Sequence, residues 1–207
     1  MDTKKTGTTT LGIVCKDGIV LASDKRASMG HLAADRIDKI FPVTNFIGIT
    51  TAGSVGDAQM LYKFLKSKME LYELTTDQKP TVDVASNLLS NILFSGSKNF
   101  FPYQTLLILA GKSDTGWKMF CLDPSGANVE NTFIATGSGM ELALGVLEEG
   151  FKKDLDIESA KKLALKAVTS AIRRDVYTGE GIDIVVIDKN GYRKVDYKKF
   201  KDVLRDE

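Results

Sequence analysis

The residues able to do chemistry are few, and their scarcity narrows the chemistry. One histidine, His31, and two cysteines, Cys15 and Cys121, occur in 207 residues. A zinc centre needs roughly three or four closely spaced ligands, which three scattered candidates do not supply. A Ser-His-Asp or Cys-His arrangement would have to run through His31, the one imidazole of the chain. A metal-free hydrolase built from this chain therefore takes its general base from an amine or a carboxylate.

Five short segments concentrate glycine, hydroxyl and charged residues. They are Thr6-Gly7-Thr8-Thr9-Thr10-Leu11-Gly12, Leu21-Ala22-Ser23-Asp24-Lys25-Arg26-Ala27-Ser28, Thr51-Ala52-Gly53-Ser54-Val55-Gly56-Asp57, Thr136-Gly137-Ser138-Gly139 and Arg173-Arg174-Asp175-Val176-Tyr177-Thr178-Gly179. Taken singly, each has a bland explanation: a threonine-rich strand, solvated surface charges, a tight strand-to-helix turn, a helix N-cap.

Composition limits the setting. Lys plus Arg is 28 and Asp plus Glu is 27, a formal net charge of +1. That balance argues against a nucleic-acid binder or a membrane-surface protein, and it leaves little repulsion to oppose self-association. Apolar residues make up 43% of the chain, enough for one sizeable core. The start is polar and has no apolar signal region. The longest purely apolar stretch, Leu106 to Ala110, is far short of the ~18 residues of a membrane span. With only two cysteines, read as buried free thiols, the expected setting is a reducing cytoplasm.

The elements that must carry the five segments follow from periodicity. Thr8 to Cys15 and Ile19 to Ser23 read as a hairpin turned by Lys16-Asp17-Gly18, and the second strand is apolar on both faces. Phe46 to Ala52 reads as a strand that stops at Gly53. A helix follows with Ala58, Leu61, Tyr62, Leu65, Met69 and Tyr72 on one face, and another starts after Pro80-Thr81 with Val84, Leu88, Ile92 and Leu93. Gln104 to Ala110, Trp117 to Leu122 and Asn131 to Ala135 return to strands, with Asp123-Pro124-Ser125-Gly126 as a turn. Met140 to Phe151 and Ser159 to Arg174 read as helices. Ile182 to Ile187 reads as a strand, followed by an Asn190-Gly191 turn and a short amphipathic end. Helix pairs between blocks of antiparallel strands predict an α/β (α+β) domain, with sheets packed face to face and helices outside. No repeat or linker divides the chain.

With that order and spacing, the five segments closely resemble those of the β-subunits of the archaeal proteasome, among the N-terminal-nucleophile hydrolases. The resemblance runs from about Thr6 to about Ile187 and implies a four-layer αββα sandwich of two antiparallel sheets flanked by helix pairs. It also implies a propeptide, residues 1–7, removed by autocleavage between Gly7 and Thr8 to leave one domain over 8–207. Thr8 would be the nucleophile. An N-terminal residue carries its own base, since its α-amine titrates at about 7.7–8.0 in model peptides, close to working pH.

The remaining roles are carried over position by position. Asp24 would hold a lysine charged and fixed beside the threonine amine, lowering that amine's pKa. The segment from Ala34 to Ile40 is one residue shorter than its family counterpart and has one lysine where two are common. Lys39 is taken as the match, and a different gap would put Ile40 there. Gly53 would offer its backbone N–H to the oxyanion. Ser138, Asp175 and Thr178 would surround the threonine, Thr178 standing where serine is usual. Ser28 would pair with peptide backbone, and Ala27, Thr51 and Val55 would line the pocket for the side chain before the cut.

The expectation is thus a threonine endopeptidase that degrades unfolded polypeptide by acyl transfer, without metal or organic cofactor. By the resemblance, its partners are other β-subunits in stacked seven-membered rings, α-subunit rings, and an ATP-dependent unfoldase acting through the α-rings. No nucleic acid or membrane is involved. Two alternatives stay open: a non-catalytic structural β-subunit, and another amidase of the same superfamily.

Overall fold

In the computed structural model, residues 7–29, 32–34 and 36–196 are described; of residues 27–29 and 32–34 only the backbone is considered. The first strands are β1 (Thr9–Cys15) and β2 (Gly18–Asp24), joined by a two-residue turn, Lys16-Asp17. Gly18 is therefore not in the turn but opens β2, where a Cβ would lie 2.5 Å from the Ile187 carbonyl oxygen. All seven residues of β2 are buried, as its two-sided apolar pattern predicts.

Two short strands, β3 (Ala27–Met29) and β4 (Leu32–Ala34), pair with each other. Then come β5 (Ile40–Thr44) and β6 (Ile47–Gly53), the helices α1 (Val55–Thr76) and α2 (Val82–Lys98), and the strands β7 (Thr105–Ser113), β8 (Gly116–Leu122), β9 (Asn128–Glu130) and β10 (Phe133–Gly137). The helices α3 (Met140–Gly150) and α4 (Ile157–Arg174) precede β11 (Ile182–Asp188) and β12 (Gly191–Val195). Local chemistry sets the helix starts. Ser54 caps α1 by accepting from Asp57 N, Thr81 caps α2 by accepting from Val84 N, and Asp156 caps α4 by accepting from Ser159 N.

The strands form two antiparallel five-stranded sheets, ordered β10-β1-β2-β11-β12 and β5-β6-β7-β8-β9. Side chains sort into three apolar layers. Leu11, Ile13, Val20, Ile184 and Val186 face α3 and α4. Ile47, Ile49, Leu107 and Leu109 face Leu61, Leu65, Leu89 and Leu93 of α1 and α2. Between the sheets lie Ile19, Leu21, Ile40, Ile108, Met119, Val185 and Ile187. The molecule is thus the four-layer αββα sandwich. The elements not anticipated from sequence are β3, β4, β5, β12 and the split of Asn128–Gly137 into β9 and β10. The predicted C-terminal segment beyond Asp196 lies outside the described residues, as does His31.

Strand β1 comes close to the second sheet at Gly12. A Cβ there would overlap Met119 Sδ and lie 3.1 Å from Leu21 Cδ2 and 3.5 Å from Ile108 Cγ2. Gly12→Val should therefore wedge the inter-sheet layer and destabilise the chain by about 1–3 kcal/mol. The check is a thermal melt, in which the midpoint falls by roughly 2–4 °C per kcal/mol for a domain of this size.

Candidate active site

Thr8 stands one residue before β1, at the end of the sheet where β2 finishes with Asp24 and β10 finishes with Gly137. It is 6% exposed. Its hydroxyl donates to the Gly7 carbonyl oxygen at 2.7 Å, so the nucleophile candidate already lies against the peptide group that precedes it. Gly7 packs on Tyr177 so closely that a Cβ at position 7 would overlap the tyrosine's Cβ.

On one side of Thr8 is a buried ion pair. Asp24 is fully buried and Lys39 is 2% exposed. Lys39 Nζ donates to Asp24 Oδ1 at 2.5 Å. The same oxygen accepts from Thr9 N at 2.9 Å, while Oδ2 accepts from Arg26 N and Gly179 N, each at 3.0 Å. Burial pushes the Lys39 ammonium below the ordinary lysine range, and Asp24 opposes that shift. The surface readings of Asp24 and Lys39 are thereby replaced by one interior pair. Lys39 is placed by backbone bonds on either side: Ile37 N donates to Lys25 O at 3.1 Å, and Thr51 N donates to Lys39 O at 3.0 Å. The neighbouring Ile40 turns into the inter-sheet core, so it is Lys39 whose side chain reaches Asp24.

On the other side is a hydroxyl relay. Thr8 N donates to Ser138 Oγ at 3.2 Å. Ser138 Oγ in turn donates to Asp175 Oδ2 at 2.5 Å, nearer than the Thr8 carbonyl oxygen at 3.3 Å. Thr178 Oγ1 also donates to Asp175 Oδ2, at 2.6 Å, which leaves its lone pair to accept from Thr9 Oγ1 at 2.8 Å. Tyr177 N donates to Asp175 Oδ1 at 3.1 Å. Ser138 is therefore not the cap of α3; the cap position is Gly139, with no side-chain cap bond. A Cβ on Gly139 would overlap Thr9 Oγ1 and sit 3.3 Å from Asp175 Oδ2, so this glycine keeps the relay open.

Gly53 ends β6 at φ +113°, where an L side chain is strained, and a Cβ there would strike the Gln104 carbonyl oxygen. It separates two hollows. A pocket of about 60 Å³ beside Thr8 is lined by Lys39, Thr51, Gly53 and Val55 among others. A wider cleft of about 550 Å³ lies on the Ser138, Asp175 and Tyr177 side. Thr51 and Val55 thus come together with Thr8. The side chains of Ala27 and Ser28 lie outside the described residues.

Four residues of the site were not singled out from sequence: Thr9, Arg26, Tyr177 and Gly179. All four act on the two carboxylates through backbone N–H groups, which leave no signature in side-chain type. Arg26 also ties down the loop after α4, donating to Val176 O at 2.8 Å and to Glu180 Oε1 at 3.2 Å. Among the described residues no group of three or more His, Cys, Asp or Glu is placed to hold a metal ion, and no helix is long and apolar enough to cross a membrane.

Comparison with known proteins bears on the whole chain. The family model "Proteasome subunit" matches residues 4–187. The chain is 48% identical over 204 residues to proteasome subunit beta 2 of Thermococcus onnurineus, covering 98% of this chain and 100% of that one. It is 44% identical over 209 residues to proteasome subunit beta of Methanocaldococcus fervens, covering 100% and 92%. It is 43% identical over 200 residues to proteasome subunit beta of Ferroglobus placidus, covering 96% and 94%. With two sheets between helix pairs and relatives of this kind along nearly its full length, the chain belongs to the proteasome subunit family, as a β-subunit of the archaeal type.

Proposed function

We propose that this β-subunit is a threonine endopeptidase that uses Thr8 as its nucleophile after losing residues 1–7. The observation that carries this reading is the position of Thr8: its hydroxyl lies 2.7 Å from the Gly7 carbonyl oxygen, and its nitrogen bonds Ser138, which bonds Asp175. In the first reaction Thr8 Oγ attacks the Gly7 carbonyl carbon, the Gly7–Thr8 C–N bond breaks, and the nitrogen gains a proton. Water then opens the resulting ester, releasing residues 1–7 and a free Thr8 amine. The Thr8 nitrogen is an amide before this step and cannot serve as base, so the proton must travel through the Ser138–Asp175 side.

In the mature chain the amine takes the Thr8 hydroxyl proton while Oγ attacks a substrate carbonyl, and passes it to the departing nitrogen. Water hydrolyses the acyl ester, and the amine returns a proton to Oγ. Lys39, held by Asp24, keeps positive charge near the amine and so favours its neutral, basic form. Gly53 N–H is the proposed oxyanion donor, and Thr51 and Val55 the walls for the residue before the cut, with Ala27 and Ser28 alongside. As a proteasome subunit the chain assembles with other proteasome subunits. The finer proposal is stacked seven-membered β-rings between α-rings, working in the cytoplasm on polypeptide delivered through the α-rings by an ATP-driven unfoldase.

Thr8→Ala should fold and assemble, retain residues 1–7 and show no peptide hydrolysis. N-terminal mass analysis and a fluorogenic peptide assay check both, and near-normal turnover in this variant would defeat the assignment.

Lys39→Ala should lower kcat by at least ~10³-fold, because Asp24 is left buried and unpaired and the amine loses its charged neighbour. Lys39→Arg should not restore it, since a planar guanidinium cannot occupy the same buried place. Normal cleavage by both variants would remove Lys39 from the mechanism.

The pH profile of kcat should be a bell. Its acid limb reports the Thr8 amine, which must lose its proton to act as base. Its alkaline limb reports Lys39, which must keep one. Burial already lowers the Lys39 pKa and Asp24 opposes that. Asp24→Asn should therefore move the alkaline limb to lower pH and reduce the maximum, as read from initial rates across pH 5–10.

A further inference from the structure

Three strands deliver the groups around Thr8. Strand β1 begins beside Thr8, β6 ends at Gly53, and β10 ends at Gly137, next to Ser138. β1 and β10 are neighbours in one sheet, but β6 belongs to the other. The distance from nucleophile to the proposed oxyanion donor is therefore a distance between sheets, which no ladder of backbone hydrogen bonds sets.

A side-chain contact spans that gap. Thr10 Oγ1 lies 2.9 Å from Thr50 Oγ1 of β6 and 2.7 Å from Thr136 Oγ1 of β10. Thr10 and Thr50 are fully buried and Thr136 is 2% exposed. Thr10 is two residues from Thr8, Thr50 three from Gly53, and Thr136 two from Ser138. Thr10 and Thr136 face each other directly across the β1–β10 ladder, and Thr50 faces the core residues Ile40 and Ile108 on its own sheet. The three hydroxyls thus sit where the apolar inter-sheet layer gives way to the site. Leucine or valine would fill this space with less desolvation cost, since burying a hydroxyl is unfavourable unless it is bonded. Dispersion contacts slide easily, whereas a hydrogen bond weakens steeply away from its preferred length and angle.

We propose that Thr10, Thr50 and Thr136 form a hydroxyl clasp that fixes the spacing of the strands bearing Thr8, Gly53 and Ser138. They are positioning residues with Thr10 as the hub: none touches the reacting atoms. The catalytic part of this inference rests on the threonine-nucleophile reading above, while the clasp itself can be read without any chemistry.

The test compares Thr10→Val, which keeps the shape and removes both bonds, with Thr10→Ser, which keeps the hydroxyl and loses the methyl. In assembled particles, Thr10→Val should lower kcat on a fluorogenic peptide by about tenfold or more with KM changed less than about twofold. Thr10→Ser should stay within about threefold of the parent. Melting temperature should fall in both variants, because Thr10→Val leaves the Thr50 and Thr136 hydroxyls buried without their Thr10 partner while Thr10→Ser loses the buried methyl. A kcat that follows the hydroxyl when both variants have lost stability is an outcome that a merely structural role does not produce. Amide hydrogen exchange supplies the independent readout: segments 50–54 and 135–139 should exchange faster in Thr10→Val and unchanged in Thr10→Ser. Should Thr10→Val fail to assemble, Thr50→Val and Thr136→Val, which each leave the hub one bond, replace it with the same expectations in smaller degree. Parent-like kcat and exchange in the valine variants, or equal losses in valine and serine variants, would overturn the clasp. An inactive parent whose exchange still follows the hydroxyl would overturn the peptidase reading and leave the clasp standing.

Discussion

The Asp24–Lys39 pair is the constraint around which the rest of the site is arranged. A carboxylate with no exposure is stable in a protein interior only if its charge is met from several directions. Here one oxygen meets Lys39 and Thr9 N, and the other meets Arg26 N and Gly179 N. These donors come from β1, the segment after β2, the segment before β5, and the loop after α4. Satisfying one buried anion therefore draws four separate stretches of chain to the end of the sandwich where Thr8 lies. A neutral residue of the same size at position 24 would remove the reason for that convergence.

The second carboxylate works differently. Asp175 caps the end of α4 and is only partly buried, and its partners are mostly hydroxyls: Ser138 and Thr178, with Tyr177 N. Hydroxyls both donate and accept, so each bond they give Asp175 leaves a lone pair for Thr8 N or Thr9 Oγ1. One side of the threonine is thus a fixed charge and the other a chain along which protons can pass.

Much of this was legible in the sequence, for physical reasons that differ between elements. β2 declared itself by being apolar at every position, and α1 by Leu61, Leu65 and Met69 recurring at helical spacing. β5 was hidden because it is short and contains Pro42, whose missing N–H reads as a break. β3 and β4 have three residues each, too few for a period. β12 carries Tyr192, Arg193 and Lys194, which look like a solvated tail until they pair with β11. Within the site, the charged and hydroxyl side chains stood out by type and order. The backbone donors at Thr9, Arg26, Tyr177 and Gly179 did not, because every residue but proline has an N–H. The Thr10–Thr50–Thr136 contact was hidden for a further reason: it joins two sheets, and the face a threonine turns inward is set only once both sheets exist.

The sequence distances inside the site also order events during synthesis. Thr8 bonds a residue 130 positions later, and Asp24 bonds one 155 positions later. The ribosome emits Thr8 long before the loop bearing Asp175, Thr178 and Gly179. During most of translation Asp24 lacks its Gly179 donor and Thr8 lacks Asp175. Domains fold as units rather than residue by residue, and this one cannot close its site until β11 has slotted in beside β2. A nascent chain that stops short of that loop thus carries Thr8 without the Asp175 end of its hydrogen-bond chain. The connectivity of the fold alone makes synthesis through Gly179 the condition for a closed site.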